Sequence, residues 1–343
     1  MSRRRGFEIG CGRLKKQSLD DVMPETQIGT VTVVITNWNG AGFIQRCLDA
    51  VFAQTQPPDE VVVVDNGSTD DSVALIRARY PSIHLIEQST NEGFARGNNL
   101  GIQQARGDYI LILNTDVFLD RDFLCRASQV MQQAPDIGSV AAKIYKADTD
   151  VIDYVGVYVQ PWLKVVNGSN VANPEDVFAG SGAALFCRRV MLDDIAEEGM
   201  FFDESFFLCW EDMDLAWRAH LRKWRCVFAP DVIGHHLGSA SQGGKVRTLS
   251  KPAFVQRHIW KNRYLIVTKN TSFLELLVLL PFLSLGELLH WLMILFRVPN
   301  RLPLFVVSHI DFLKLLPKVW RQRQVIQRRR RVGVWAILKF FRF

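Results

Sequence analysis

The residues best suited to chemistry follow an apolar run near the middle of the chain. Asn114 and Asp116 come directly after Tyr109 to Leu113. Such a run predicts a strand that is covered on both faces of a sheet. In open α/β sheets ligands bind at the carboxyl ends of the strands, where a carboxylate suits Mg²⁺ or Mn²⁺. Asp116 is therefore a candidate metal ligand, and an ordinary aspartate between a strand and a turn is the alternative.

Two earlier strands are predicted to end at polar residues in the same way. Valine-rich runs at 31–36 and 60–64 flank a predicted helix at 42–54, and a short third strand is predicted at 83–86. A strand, a helix and a strand at this spacing predict a parallel crossover, so the polar residues after each strand meet at one edge of the sheet. These residues are Asn37, Asn39, Asp65 and Asn66.

A loop rich in glycine and asparagine, 91–101, opens the next predicted helix. Its small residues, its backbone amides and Arg96 suit contact with an anion at a helix start. The loop does not match GxGxxG, and no glycine motif follows the first strand, so a dinucleotide-binding fold is not indicated. Asp65 can accept hydrogen bonds from a base or a ribose. Together with Asp116, these residues describe a site for a nucleotide diphosphate.

The composition is that of a globular protein with two basic ends. The chain has 343 residues, of which 48% are hydrophobic and 22% are charged, and its net charge is +6. This length allows one large or two ordinary domains. Much of the excess arginine and lysine lies near the termini and favours an anionic surface. No nucleic-acid reading motif accompanies these residues, so we expect no nucleic acid partner.

The cysteines give no sign of a metal centre or of a secreted scaffold. All 6 are widely spaced and they form no CxxC pair. Neither a zinc site nor a disulfide framework is therefore expected. Residues 1–27 contain no apolar signal region. We expect a protein of the reducing cytoplasm.

Four segments, in this order, resemble the inverting glycosyltransferases of family 2, whose fold is called GT-A. The resemblance is closest to the rhamnosyltransferase-like enzymes of bacterial surface-polysaccharide synthesis in the cell envelope. It implies a Rossmann-like mixed sheet flanked by helices over residues 29–270, after a flexible basic arm at 1–28. The matching segments are 34–39, 64–70, 91–99 and 113–116.

The resemblance also implies roles for individual residues. Asp65 would contact the nucleotide base, and Asp116 would bind the metal as the last position of an Asp-x-Asp element. The first position of that element is Asn114 here, so one carboxylate is present instead of two. The residues implied to bind the nucleotide sugar are Thr36, Asn37, Asn39, Asp65, Asn66, Asn91, Gly93, Arg96, Asn98, Asn114 and Gly182.

The second half of the chain continues the resemblance. Residues 178–186 are similar to the segment that lines the sugar and acceptor site, and 203–218 to the helix that carries the catalytic base. By this resemblance Asp212 is the base, with Glu211 beside it. A helix N-terminus favours a carboxylate, so an acidic first turn that only complements the helix dipole is the alternative.

A histidine pair after residue 234 would complete the metal site by the same resemblance. His235 aligns better, and His236 stays open as the alternative. The following segment is predicted to be flexible and to close over the diphosphate. Its residues of interest are Ser239, Ser241, Gly243, Gly244, Lys245 and Arg247.

Residues 271–343 predict a helical tail. The runs 273–296 and 302–320 are mostly apolar, and a cluster of arginines follows at 321–331. Glu275 and Glu287 argue against a membrane span, because an acid at the bilayer centre costs about 2.5–3.5 kcal/mol. We therefore expect helices that lie in the plane of an anionic membrane. A helical interface in a homo-oligomer is the alternative.

These inferences combine into one functional hypothesis. The chain would transfer a sugar, first of all L-rhamnose from dTDP-rhamnose, to a hydroxyl of a glycan or a lipid-linked saccharide. The anomeric configuration would invert, with Mg²⁺ or Mn²⁺ as cofactor, at the inner face of the cell membrane. UDP-galactose, UDP-glucose or UDP-N-acetylglucosamine are alternative donors. A non-catalytic, membrane-bound subunit that binds sugar nucleotides is the alternative from another class.

Overall fold

A mixed β-sheet forms the centre of the computed structural model, which describes residues 29–169, 172–238 and 248–343. The predicted arm 1–28 and the predicted mobile segment at 239–247 lie outside the described residues. The strands are β1 (Val31–Asn37), β2 (Glu60–Asn66), β3 (His84–Gln88), β4 (Tyr109–Asn114), β5 (Val117–Leu119), β6 (Ile137–Lys146), β7 (Ile152–Tyr154), β8 (Val157–Val159), β9 (Val165–Asn167), β10 (Glu175–Val177), β11 (Ala184–Arg188) and β12 (Arg225–His236).

The sheet has a parallel half and a mixed half. Its strand order is β10-β12-β6-β11-β4-β1-β2-β3, with β5 paired to β12 and β7 to β6, while β8 and β9 form a separate ribbon. Strand β1 lies between β4 and β2 and is parallel to both. The predicted parallel crossover is therefore confirmed. Strand β11 is antiparallel to β4 and begins the mixed half.

Helices cover both faces of the sheet. In β1, Val33 and Ile35 pack towards α1 while Val34 packs towards α3, so alternate residues enter two different cores. The helices are α1 (Ile44–Phe52), α2 (Ser72–Arg79), α3 (Phe94–Gln104), α4 (Phe123–Gln132), α5 (Arg189–Ile195), α6 (Glu211–Leu221), α7 (Ala253–Asn270), α8 (Phe273–Arg297), α9 (Leu302–Arg329) and α10 (Val334–Leu338), with a 3₁₀ turn at Glu204–Phe206.

The C-terminal helices pack against the sheet domain and share a hydrophobic core with it. Val319 and Ile326 of α9 and Ile337 of α10 lie in one cluster with Phe178 and Trp217. All five side chains are buried. The described part of the tail is thus attached to the layer that contains α6.

The two acidic residues of α8 face the protein. Glu275 is fully buried, and its Oε1 accepts a hydrogen bond of 2.6 Å from Arg330 of the segment after α9. Glu287 accepts a hydrogen bond of 2.7 Å from the hydroxyl of Tyr264. In the sequence both acids argued against a membrane span, and in the structure neither lies on the outward face of the helix.

Candidate active site

The polar ends of three strands lie side by side at one edge of the sheet. In the parallel pairing, Asn37 of β1 is opposite Asp65 of β2, and Thr36 is opposite Asn114 of β4. The register follows from the apolar runs that precede these residues, because each run fills the centre of the sheet. The structure therefore brings together the strand-end residues that the sequence singles out.

Asn37 and Asp65 are hydrogen-bonded to each other at the bottom of the crevice along this edge. Asn37 Nδ2 donates to Asp65 Oδ1 at 2.8 Å and to Ser72 Oγ at 2.9 Å, and Ser68 N donates to Asp65 Oδ2 at 3.0 Å. Asp65 is only 3% exposed. Asn39 is exposed above them, and its N–H donates to Ser68 Oγ at 2.8 Å. Asn37 and Asp65 thus shape the floor, and Asn39 is open to a ligand.

The glycine- and asparagine-rich loop is fastened to the end of β2. Asn66 Nδ2 donates to Asn91 Oδ1 and to the Gly93 carbonyl, both at 3.0 Å, and Gly93 N donates to Asn91 Oδ1 at 2.9 Å. Gly93 has φ +91°, and a Cβ there would lie 2.7 Å from the carbonyl oxygen of Phe207. The glycine is required both by its backbone conformation and by this close approach.

The start of α3 presents a half-exposed arginine beside two buried polar atoms. Arg96 forms ion pairs of 3.2 Å with Glu92 and with Glu204. Asn98 Nδ2 donates to a carbonyl of its own helix at 2.9 Å. Asn98 Oδ1 and Thr36 Oγ1 are buried, and within the described residues they have no hydrogen-bond partner. Unpaired polar atoms are costly inside a protein, so these two atoms mark a place where a ligand or water is expected.

The candidate base lies at the first turn of α6 and contacts the glycine segment before β11. Asp212 Oδ2 accepts a hydrogen bond of 3.0 Å from Gly182 N, and Asp212 Oδ1 accepts one of 2.8 Å from Met213 N. The neighbouring residue, Ala183, accepts the N–H of Asn114 at 2.9 Å. Asp212 is thereby linked through two adjacent residues to the end of β4.

The two acids of this turn differ in their electrostatics. Burial, together with the charge of Asp212, raises the pKa of Glu211 well above its ordinary value. Burial also raises the pKa of Asp212, but the N–H groups of Gly182 and Met213 act in the opposite direction. The protonated form is therefore favoured more strongly at Glu211 than at Asp212, whose carboxylate form is stabilised by two N–H groups.

His236 lies beside Asp116, whereas His235 does not. His236 Nε2 is 3.3 Å from Asp116 Oδ2, and His236 Nδ1 is 2.9 Å from Asp153 Oδ2. Burial lowers the pKa of His236, but Asp116 and Asp153 outweigh it and raise the pKa to about 9. These two carboxylates create a field that favours a cation. His235 Nε2 instead pairs with Asp120 at 3.0 Å.

This geometry favours His236, the alternative that the sequence left open, over His235 as the partner of Asp116. Successive side chains of a strand point to opposite faces, so only one histidine of the pair can face Asp116. Pairing of β12 with β5 places His236 opposite Val117, directly after Asp116. Asp153 was not identified from the sequence, because it lies in a short strand without a motif. Among the described residues, no group of three or more His, Cys, Asp or Glu side chains is arranged so that it could hold a metal ion.

A buried charged network below α6 was also not identified from the sequence. Lys269 Nζ contacts Asp203 at 2.9 Å and Asp214 at 3.1 Å, and Asp214 Oδ2 also accepts from Arg218 Nε at 2.8 Å. All four side chains are at most 4% exposed. Burial would raise the pKa of Asp203, but Lys269 and the nearby Lys318 hold it below its ordinary value. Helix α7 is thus tied to the segment before the candidate base.

A family model of glycosyltransferases matches the part of the chain that holds the strand-end residues. Residues 32–193 match the family model Glycosyl transferase family 2. This region contains β1 to β11, including the strand-end residues, the loop 91–101 and Gly182. This part of the chain, just under half of its length, is therefore similar to family 2 glycosyltransferase domains, while α6 and the histidine pair lie beyond the matched residues.

Two relatives place the chain among glycosyltransferases. The glycosyltransferase AglE of Haloferax volcanii is 28% identical over 214 residues, which cover 60% of this chain and 66% of AglE. The N-acetylglucosaminyl-diphospho-decaprenol L-rhamnosyltransferase of Mycobacterium tuberculosis is 23% identical over 249 residues, 64% of this chain and 77% of that protein. The chain thus spans slightly less than two thirds of AglE and about three quarters of the mycobacterial enzyme.

A solved structure shows the same fold. The mannosyltransferase PcManGT from Pyrobaculum calidifontis, in complex with GDP-Man and Mn²⁺, superposes with a TM-score of 0.53 at 18% identity. The superposition covers 92% of this chain and 89% of PcManGT. At this identity the likeness concerns the fold, and the predicted GT-A architecture is confirmed.

Proposed function

We propose that the protein transfers a sugar from a nucleotide diphosphate to a hydroxyl acceptor with inversion at the anomeric carbon. The observation that carries this proposal is the position of the Asp212 carboxylate beside the strand-end crevice. Its Oδ2 accepts a hydrogen bond of 3.0 Å from Gly182 N, which fixes the carboxylate there. The relatives act in transfer of sugars, and one is named for L-rhamnose. We propose L-rhamnose from dTDP-rhamnose as the first donor and a cell-envelope saccharide, free or lipid-linked, as the acceptor.

In this mechanism Asp212 accepts the proton of the acceptor hydroxyl. The oxygen then attacks the anomeric carbon from the side opposite the leaving diphosphate, so the C–O bond to the acceptor forms as the bond to the diphosphate breaks. Burial makes Asp212 a stronger base than an exposed aspartate. Burial and the charge of Asp212 raise the pKa of Glu211, which favours the uncharged form of this neighbour.

Asp116 and His236 are the residues that would hold a divalent cation. Their oxygen and nitrogen atoms are 3.3 Å apart and sparsely exposed. Asp153 contacts the other ring nitrogen of His236, an arrangement typical of histidines that bind metals. Mg²⁺ commonly takes one or two protein ligands and completes its shell with phosphate and water, so two side chains fit. A bound cation would supply positive charge that offsets the charge of the leaving diphosphate.

A donor panel tests the proposed function. The full chain would be mixed with Mn²⁺ or Mg²⁺, a membrane lipid extract and one donor at a time. The donors are dTDP-rhamnose, UDP-galactose, UDP-glucose and UDP-N-acetylglucosamine, and the release of nucleoside diphosphate is measured. We expect release with one donor and its loss on addition of EDTA. Nucleotide binding without release from any donor would favour the non-catalytic subunit.

The metal assignment predicts different effects for the two neighbouring histidines. His236→Ala should lower the apparent affinity for Mn²⁺ by about 10- to 100-fold, because it removes the imidazole beside Asp116. His235→Ala is the matched control and should change this affinity little, since His235 pairs with Asp120. The measurement is nucleoside diphosphate release against Mn²⁺ concentration. A larger effect of His235→Ala would contradict the assignment.

We further propose that the protein binds the inner face of the cell membrane through α8. In the described part of the chain, one helix, α8, is long enough and apolar enough to cross a membrane, judged by length and composition. Its outward face bears no charged residue from Phe273 to Phe296. The exposed apolar side chains are Phe273, Leu274, Leu277, Val278, Leu280, Phe282, Leu285, Leu288, Leu289, Trp291, Leu292, Leu295 and Phe296.

The packing of α8 favours an orientation in the membrane plane over a span. Its inner face contacts the protein from Glu275 near the start, through Gly286 beside Trp162, to the buried Ile294 near the end. A span would carry these packed elements into the bilayer. Exposed basic residues close to the helix end and to the chain end, such as Arg297 and Arg342, suit anionic lipid. The alternative partner for this face is a second copy of the chain, which vesicle binding and sedimentation distinguish from lipid.

A further inference from the structure

A segment in unusual backbone conformation joins the 3₁₀ turn to the candidate base. We name residues 206–210 the left-handed segment, because Phe207, Cys209 and Trp210 have φ values of 64°, 65° and 76°. Side chains other than glycine rarely adopt this region, and each such residue costs on the order of 1–2 kcal/mol. The conformation persists only where surrounding contacts require it. The residue after this segment is Glu211, and the next is Asp212.

One side chain of α7 supplies those contacts. Asn262 Nδ2 lies 2.9 Å from the carbonyl oxygen of Phe206, 2.9 Å from that of Leu208 and 2.7 Å from that of Cys209. Asn262 is fully buried. The three carbonyl groups converge on one amide, whose two N–H bonds are shared among them. Without it, the carbonyl groups of Leu208 and Cys209 would lose this donor, while that of Phe206 would keep the N–H of Leu208.

The left-handed segment also touches the loop that is proposed to bind the donor. The carbonyl oxygen of Phe207 accepts the N–H of Ala95 at 3.2 Å, and the Phe207 ring packs against Gly93. The donor loop has separate support from Asn66 and Asn91. Asp212 depends on the segment more directly, because Trp210 O accepts the N–H of Asp214 and so begins α6.

Neighbouring residues of α7 fix the two ends of the same region. Lys261 Nζ donates to the Ser205 carbonyl at 2.6 Å, and Asn270 Nδ2 donates to Asp214 Oδ1 at 2.8 Å. Lys269 joins Asp203 to Asp214. The middle of the region, where the backbone is strained, depends on Asn262. Helix α7 lies outside residues 32–193, so it is not part of the matched family domain.

We propose that Asn262 is a positioning residue that acts on turnover by holding the left-handed segment and, through it, Asp212. The proposal rests on the proposed function, in which Asp212 is the base. Loss of the amide would let the segment relax and displace the carboxylate from Gly182, while the separately held donor loop keeps its affinity for nucleotide. A small displacement of a catalytic group has a large effect on rate.

The test compares turnover with nucleotide binding in Asn262→Ala. We expect kcat for nucleoside diphosphate release to fall by about 10- to 100-fold, whereas the dissociation constants of dTDP and UDP change less than about threefold. Gln54→Ala is the matched control, because Gln54 is a buried amide that donates to the Asp120 carbonyl at 2.7 Å, far along the chain from the segment. Both variants should lose stability, and only Asn262→Ala should lose kcat when rates are normalised to folded protein.

A double-variant cycle separates this proposal from the assignment of the base. Asp212→Glu retains a carboxylate in altered position, so in that background Asn262→Ala should reduce kcat by much less than in the original chain. An equal factor in both backgrounds, or a kcat of Asn262→Ala equal to that of Gln54→Ala, would overturn the positioning role. Full turnover in Asp212→Asn would instead contradict the assignment of Asp212 as the base. The effect of Asn262→Ala on kcat could still be measured in that case.

Discussion

Replacement of Asp212 by asparagine is expected to lower kcat by about 10²- to 10⁴-fold, the usual contribution of a general base. Asparagine preserves the size of the side chain, and its oxygen can still accept the N–H of Gly182, which is 3.0 Å from the carboxylate here. Binding of nucleotide should stay nearly unchanged. The measurement is nucleoside diphosphate release with the productive donor, together with dTDP or UDP binding by calorimetry.

Two other amide substitutions show whether the effect belongs to Asp212. Asp148→Asn makes the same change at an exposed carboxylate that pairs with Arg46, and it should leave kcat unaffected. Glu211→Gln should cost less than about tenfold, because burial raises the pKa of Glu211 and so favours its uncharged form, which glutamine mimics. A larger loss in Glu211→Gln than in Asp212→Asn would reverse the roles of the two acids.

The same assignment sets the direction of the pH dependence. Asp212 must be deprotonated to accept a proton, so turnover should be present above its pKa and fall tenfold per pH unit below it. Burial raises this pKa above the value of about 3.9 for a free aspartate. The acid limb of kcat should therefore lie above pH 4 and should report the Glu211 and Asp212 pair as a unit. A kcat that stays constant down to pH 4 would argue against a buried base.

The parallel half of the fold could be predicted because local patterns determine it. The runs before Asn37, Asp65 and Asn114 are apolar on both faces of a strand, so each had to occupy the centre of the sheet. The observed strands extend the predicted ones by one or two residues, and α1 is shorter at both ends than predicted. Polar residues at strand ends carry little periodic signal, which explains these small differences.

The remaining parts of the site depend on contacts between distant segments. Pairing of β12 with β5 decides which histidine faces Asp116, and no local pattern distinguishes His235 from His236. Asn262 contacts a segment more than fifty residues earlier in the chain. In the sequence it is one polar residue among several in α7. Its role becomes visible only with the positive φ values of the segment that it contacts.

The acids of α8 show that a count of charged residues does not predict which face of a helix is exposed. Glu275 and Glu287 would be costly in lipid, yet both are paired inside the protein with Arg330 and Tyr264. From Phe273 to Phe296 the outward face of α8 is left without charge over a length of about 36 Å, at about 1.5 Å per residue. An apolar face of this size is rarely exposed to water in a stable monomer, so a partner surface is expected.

The triple variant Leu274→Gln, Leu277→Gln, Leu288→Gln should abolish most binding of the full chain to anionic vesicles. These side chains are 60%, 50% and 55% exposed, and all lie on the outward face of α8. Moving a half-exposed leucine into lipid contributes roughly 1 kcal/mol, so three of them contribute roughly 3 kcal/mol. That corresponds to about a 100-fold loss in partitioning. The measurement is flotation with vesicles of phosphatidylglycerol and phosphatidylcholine.

The matched control makes the same kind of change away from α8. Val151 and Val190 are 54% and 62% exposed on the sheet domain, and Val151→Gln with Val190→Gln should leave vesicle binding intact. High salt should weaken binding of the original chain only in part, because screening acts on the arginines and not on the leucines. Vesicle binding that survives the triple variant, together with dissociation of a dimer in sedimentation, would assign the face to a second copy of the chain. Since α8 is fastened to the protein by buried ion pairs and hydrogen bonds, loss of lipid contact should leave turnover with a soluble acceptor unchanged.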